Sequence, residues 1–307
     1  MCSPLCLEAL YGRASRRDFV KKSLMAATAV ACGARAASGA AVATPAAQQP
    51  RTFTTVLDLT HALYEGFPTF DGSKWFTMEK KFTFAKDKLN INTWTVVEHI
   101  GTHMDAPFHF TADGHSVDEI PITDFVVPLA VVDISQRAQD NPDTALTPDD
   151  IKRWEATNGP LPEGCCVMMN SGWHRILASP KFSGRDDAGR NHTPGFHAET
   201  AHLLLTERNV KGIGVDTLSL DPGLKGVGGA FPVHYEWLGS GRWGVENVAN
   251  LDALPAKGAT LVLGGPKVRG GTGGQAGSLL SSRRASSRAL ACHCPVCGLT
   301  AKGNPIY

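Results

Sequence analysis

Between His99 and Phe110 the chain reads HIGTHMDAPFHF, which places His99, His103, Asp105 and His109 within eleven residues. Neutral imidazole and carboxylate are the donors that zinc, manganese and iron accept in common. A catalytic metal site needs about three such donors, with one position left open for water. Two histidines and an aspartate meet that demand. Gly101 lets the chain turn between the first two histidines, and Pro107 stiffens the stretch after Asp105, so the side chains can converge. The contrasting reading is a polar loop whose histidines only hydrogen-bond. It suits a lone histidine better than three gathered around one carboxylate.

The elements that must position these residues follow from the hydrophobic pattern. Thr54 to Leu59 and Ile91 to Glu98 read as strands, and the second would deliver His99 at its tip. Phe125 to Ile134 and Cys165 to Met169 are apolar runs that suit buried strands, and Gly212 to Val215 and Thr260 to Leu263 are shorter ones. Thr147-Pro148-Asp149-Asp150 predicts a helix start that runs to about Ala156, and His197 to Arg208 carries helical periodicity. The alternation indicates an α/β fold class. A mixed β-sheet core with flanking helices is expected rather than a doubly wound parallel sheet, because the first third holds strands and almost no helix.

The signature segment resembles H-x-G-T-H-x-D-x-P-x-H of the cyclase family, which includes the bacterial kynurenine formamidases and the isatin hydrolases. Further stretches carry the resemblance: Asp58-Leu59-Thr60, Gly212 to Asp216, Ser219-Leu220-Asp221, Pro232-Val233-His234 and Val245-Glu246-Asn247, so that it spans about Thr52 to Gly274. It implies the family's swivelling β/β/α fold and two divalent metal ions, zinc ahead of manganese. By the same resemblance His99, His103 and Asp105 hold one ion, and Asp105 bridges to a second. His234 and, twelve residues later, Glu246 complete the set. His109, outside the ligands, is then the acid or base, a role an imidazole titrating near neutrality suits.

The activity implied is a metal-dependent hydrolase acting on C–N bonds other than peptide bonds. The arylformamidase reaction, N-formylkynurenine to kynurenine and formate, is the first expectation, and an isatin hydrolase-like opening of a cyclic amide or lactone the alternative. Phe70, in Pro68-Thr69-Phe70, stands where the formamidases carry an aromatic, and Phe70 and Phe108 are expected to contact an aromatic amide substrate. Phe110, Trp75 and Trp237 are further aromatics, each equally at home in a core. Asp216 and Asp221 either orient ligands or cap turns. Two other classes stay open. His103, Asp105 and His234 also match the facial triad of iron oxygenases, against which Glu246 and His99 speak, and a metal-binding protein without turnover is the third. The family implies a homo-oligomer, dimer or tetramer.

The formal net charge is +1 over 307 residues, so no nucleic-acid footprint is written into the bulk charge. No P-loop and no Gly-x-Ser-x-Gly elbow occurs. No apolar run reaches the length of a membrane span. Ser15-Arg16-Arg17-Asp18-Phe19-Val20-Lys21 and the weakly apolar run after it predict a twin-arginine signal over residues 1–43, with a cleavage region at Ala41-Val42-Ala43 and a leader over 44–51. The protein is therefore expected in the periplasm or outside the cell, with lipid attachment at Cys32 as the lesser variant. A catalytic domain is expected over 52–274. Residues 275–307, which contain CHCPVCG, are expected to be a disordered, frameshifted tail rather than a zinc knuckle of Cys292, Cys294 and Cys297.

Overall fold

The computed structural model describes residues 55–282. The expected export signal and leader, Cys32 and the terminal cysteine cluster lie outside the described residues. In chain order the strands are β1 (Thr55–Asp58), β2 (Phe76–Phe82), β3 (Ile91–Val96), β4 (His103–Asp105), β5 (Val126–Asp133), β6 (Ala145–Leu146), β7 (Cys166–Asn170), β8 (Gly195–Phe196), β9 (Gly212–Val215), β10 (Trp243–Glu246), β11 (Lys257–Gly264), β12 (Gly273–Gln275) and β13 (Gly277–Ser282). The helices are α1 (Phe84–Asp87), α2 (Ser135–Asp140), α3 (Pro148–Asn158), α4 (Ala198–Thr206) and α5 (Pro232–Gly239).

Nine strands form one mixed sheet in the order β1-β13-β11-β5-β7-β9-β10-β4-β12. Its centre, β5-β7-β9-β10, is parallel, and antiparallel strands flank it on both sides. Successive side chains of a strand project to opposite faces. Accordingly Val167 and Met169 of β7 join one core cluster, with Ile151, Trp154 and Leu204 of the helical layer, while Cys166 and Met168 join the other, with Phe125 and Leu261. Burial on both faces explains why β5 and β7 read as nearly continuous apolar runs. Gly212 in β9 is required by packing, since a Cβ there would lie 2.3 Å from the Trp243 indole.

Helix α3 starts where the sequence predicts. Pro148 occupies its first position, and the Asp150 carboxylate reaches back to the Thr147 N–H at 2.8 Å.

The sheet's two ends come close together. β12 closes one end and β13 lies second from the other, yet only Ala276 separates them in sequence, so the sheet curls on itself. This corrects the expected boundary at Gly274. Residues 277–282 run between β1 and β11, pairing antiparallel with both, so the sheet continues past the boundary expected at Gly274. A ladder is built from backbone donors and acceptors, and a segment rich in glycine and serine supplies them as well as an apolar one.

Candidate metal centre and active site

The short strand β4 is held between β10 and β12. Glu246 stands opposite His103, and Gly244 and Gly273 both stand opposite Asp105. The period of two sends His103 and Asp105 to the same face while Met104 enters the core. The glycines leave room: a Cβ on Gly273 would lie 2.7 Å from the His99 ring. His234 arrives from the first turn of α5, whose start is fixed by Asp221. That buried carboxylate accepts the backbone N–H groups of Val233 (2.8 Å) and His234 (3.1 Å) and the His234 Nδ1–H at 2.6 Å.

His99, His103 and Asp105 thus form one potential ligand triad and Asp105, His234 and Glu246 a second, with Asp105 common to both. His99 Nδ1 lies 2.8 Å and His103 Nε2 3.3 Å from Asp105 Oδ1, and His234 Nε2 lies 3.1 Å from Glu246 Oε1. The outer nitrogens are committed elsewhere. His103 Nδ1 donates to the Gly101 carbonyl at 2.9 Å, and His99 Nε2 lies 2.9 Å from Thr272 Oγ1, which itself donates to Glu98. Each imidazole therefore turns one lone pair inward, the arrangement that metal-ligating histidines adopt.

Two inward atoms, His103 Nε2 and Asp105 Oδ2, are buried without a hydrogen-bond partner. An unmet buried donor or acceptor is costly unless a ligand satisfies it, and imidazole with carboxylate is a donor set that divalent cations take up. The residues present therefore fit a divalent metal.

The electrostatics agree. Burial disfavours charge on His103, but Asp105 and Glu246 outweigh it and lift its pKa to about 9. Burial likewise opposes charge on His234, yet contacts with Asp105, Asp221 and Glu246 raise its pKa well above the usual histidine value. Burial would raise the Asp105 pKa, but His103, His234 and His99 hold it well below the ordinary carboxylate range. The carboxylates demand positive charge, which a divalent cation supplies with the imidazoles neutral.

His109 lies beside this centre. Its ring stacks on His99 with centroids 3.7 Å apart and an interplanar angle of 16°. Burial, against the pull of Asp105 and with help from the other imidazoles, lowers its pKa to about 3, well below the near-neutral titration expected of it, so it is neutral at physiological pH.

Of the expected substrate contacts, Phe70 packs on Phe231 at 5.6 Å, and Phe231 in turn faces His234 at 5.6 Å. Phe108 is not brought to the centre: its side chain is exposed and, among the described residues, makes no ring contact. It sits in the 3₁₀ turn Pro107–His109, where successive side chains diverge by about a third of a turn, so His109 and Phe108 point apart. Phe110 lies 4.6 Å from the His234 ring. Trp237 is core, with its indole N–H donating to the Trp243 carbonyl. Asp216 serves the loop after β7, accepting from the Ser171 hydroxyl and the Trp173 N–H, while Asp221 serves the centre. Sequence reasoning missed the roles of Glu98 and Thr272 and reached Phe231 only as the end of a stretch, Gly226 to Phe231, whose backbone could approach substrate. Only the last carries a local signal, since it ends a glycine-rich stretch and precedes Pro232.

Comparison with known proteins agrees with this geometry. The Cyclase family model, described as "Putative cyclase", matches residues 57–222. An isatin hydrolase of Roseibium aggregatum is 35% identical over 188 residues, 59% of this chain and 70% of that protein. A kynurenine formamidase of Bacillus cereus is 28% identical over 167 residues, 54% of this chain and 70% of that protein. The solved structure of isatin hydrolase A from Labrenzia aggregata, bound to benzyl benzoate, superimposes with a TM-score of 0.70 at 33% identity, covering 74% of this chain and 93% of that one. The mixed, curled sheet and the histidine–carboxylate centre define an enzyme of the hydrolase class with a candidate divalent-metal site. The chain belongs to the Cyclase family.

Proposed function

We propose that this chain hydrolyses the C–N bond of an aromatic amide, and that a cyclic amide of the isatin type is the substrate class. The observation that carries the reading is the sharing of Asp105 between two triads, each with its candidate donor atoms within 4.8 Å of one another. His99, His103 and Asp105 would hold one divalent ion and Asp105, His234 and Glu246 a second, with zinc first and manganese second as candidates. When bound, such ions supply Lewis acidity and lower the pKa of water toward neutrality.

The chain's own groups do the rest. His109, neutral and stacked at the edge of the centre, accepts the proton that water loses at a ring nitrogen. It then returns that proton to the departing nitrogen as oxygen bonds to the carbonyl carbon and the C–N bond breaks. Phe110 and Phe231, each against His234, offer flat apolar surface to an aromatic ring and exclude water from it. The higher identity to isatin hydrolase, 35% against 28%, favours ring opening over formyl removal. N-formyl aryl amide hydrolysis is the second reading, favoured by the similarity to kynurenine formamidase.

Parallel assays of isatin and N-formylkynurenine with zinc-loaded, manganese-loaded and chelated protein test this. Turnover of isatin above the formamide, lost on chelation and indifferent to oxygen, is expected. Oxygen dependence would return the iron oxygenase reading of His103, Asp105 and His234, and tight metal binding without turnover the non-catalytic one. The proposal includes export by the twin-arginine segment to the periplasm. Retention of the protein in the cytoplasm with Arg16 and Arg17 intact would overturn that part.

A further inference from the structure

We infer that a cavity at the start of β10 binds a short-chain carboxylate, an inference independent of the catalytic reading. Among the described residues four tryptophans are buried, and three donate the indole N–H to a backbone carbonyl: Trp154 to Val131 at 2.8 Å, Trp173 to Phe182 at 2.8 Å and Trp237 to Trp243 at 2.9 Å. Trp243 is the exception. Its Nε1 has no hydrogen-bond partner although the residue is only 3% exposed. A buried indole N–H ordinarily finds an acceptor, and one left unmet is costly unless a ligand oxygen accepts from it.

Packing explains the ring but not the nitrogen. The Trp243 indole lies over Gly212 and meets Phe125 edge-on at 6.1 Å, contacts that use its carbon atoms and leave the N–H unused. The preceding residue repeats the anomaly. Arg242 Nε is also buried without a partner, while its Nη2 donates to Asn209 Oδ1 at 3.3 Å. Both residues line one cavity of about 210 Å³, together with Ile120, Pro121, Asp124 and Lys211.

Charge and shape select the ligand. The two unmet groups can only donate, which excludes a cation. Lys211 and Arg242 are positive and Asp124, paired with Lys211, is negative, so the lining suits a monoanion better than a phosphate dianion. A carboxylate offers one oxygen to each free N–H and makes the stronger bonds of an ionised acceptor. Ile120 and Pro121 give an apolar wall to a short hydrocarbon tail. Glu246 stands at the opposite end of β10, roughly 10 Å along the strand, so this site is separate from the metal centre.

Proton NMR of the full chain, titrated with sodium butyrate at constant ionic strength and read at the Trp243 indole N–H, provides the test. A saturable downfield shift of that resonance is expected, with the indole signals of Trp154, Trp173 and Trp237 unmoved. Butyramide, the uncharged analogue of the same shape, is expected to leave it in place. Arg242→Gln is expected to weaken butyrate binding at least about tenfold. Failure to saturate, an equal response to butyramide, tighter binding of inorganic phosphate than of butyrate, or undiminished affinity in Arg242→Gln each overturns the proposal. The butyramide and phosphate comparisons use the unmodified protein, so they decide the matter whether or not the variant folds.

Discussion

Asp221 Oδ2 lies 2.6 Å from His234 Nδ1 and 3.1 Å from the backbone nitrogen of the same residue. One carboxylate thus fixes both the ring's tautomer and the helix that carries it. Replacing Asp221 with Asn removes the charge while keeping an oxygen in place. The variant is expected to lose about 10–100-fold in metal affinity, measured by calorimetric titration of the metal-free protein. Undiminished affinity would show that the contact serves helix α5 alone.

The Glu98–Thr272–His99 chain predicts a second, smaller effect. Thr272→Val keeps the shape and deletes the hydroxyl that meets His99 Nε2 at 2.9 Å. About tenfold weaker binding of one metal equivalent is expected, with the other equivalent unchanged, in a titration that resolves two steps. Equal weakening of both would argue against separate half-sites.

His109 stands outside both triads. His109→Gln is expected to retain the full metal content by elemental analysis while turnover falls about 10²–10⁴-fold, the range for loss of a positioned acid or base. Loss of metal together with rate would reassign it as a ligand.

Asp150 predicts how stability depends on pH. Burial opposes its charge, but Arg137, with the Thr147 N–H and hydroxyl, holds its pKa far below the ordinary carboxylate value, and Arg153 adds a further contact. A depressed folded-state pKa gives stability that is fully present above the unfolded value, near pH 4, and is lost as pH falls through the folded one. Asp150→Asn is expected to cost about 2–3 kcal/mol at pH 7 and to flatten the acid limb of a melting-temperature profile. An unchanged acid limb would locate the acid sensitivity elsewhere.

The sequence makes the first triad legible because its three donors share one short segment, and local spacing is all that was needed. His234 and Glu246 are legible only through their separation and the family pattern, since nothing local marks either as a ligand. Strand β4 is harder. Its residues, His-Met-Asp, have little strand propensity, and its conformation is decided by ladders with β10 and β12. Thr272 is invisible for the same reason, its meetings with His99 and Glu98 being set across 173 and 174 positions of chain. For Phe108 residue type was legible, but its exposed setting within a 3₁₀ turn was not. Strand β13 was missed because composition after Gly274 suggested a broken pattern, while the ladder asked only for backbone.

Strand β4 carries His103 and Asp105 early in the chain, yet both of its neighbours, β10 and β12, are made more than a hundred residues later. As the polypeptide leaves the ribosome from its beginning, the cation cradle has no walls until nearly the whole of the described chain has emerged. Contacts so distant along the chain make for slow closure. Loading of metal must then follow synthesis instead of guiding it, and a chain interrupted before residue 243 would carry the signature with neither neighbouring strand to hold it in place.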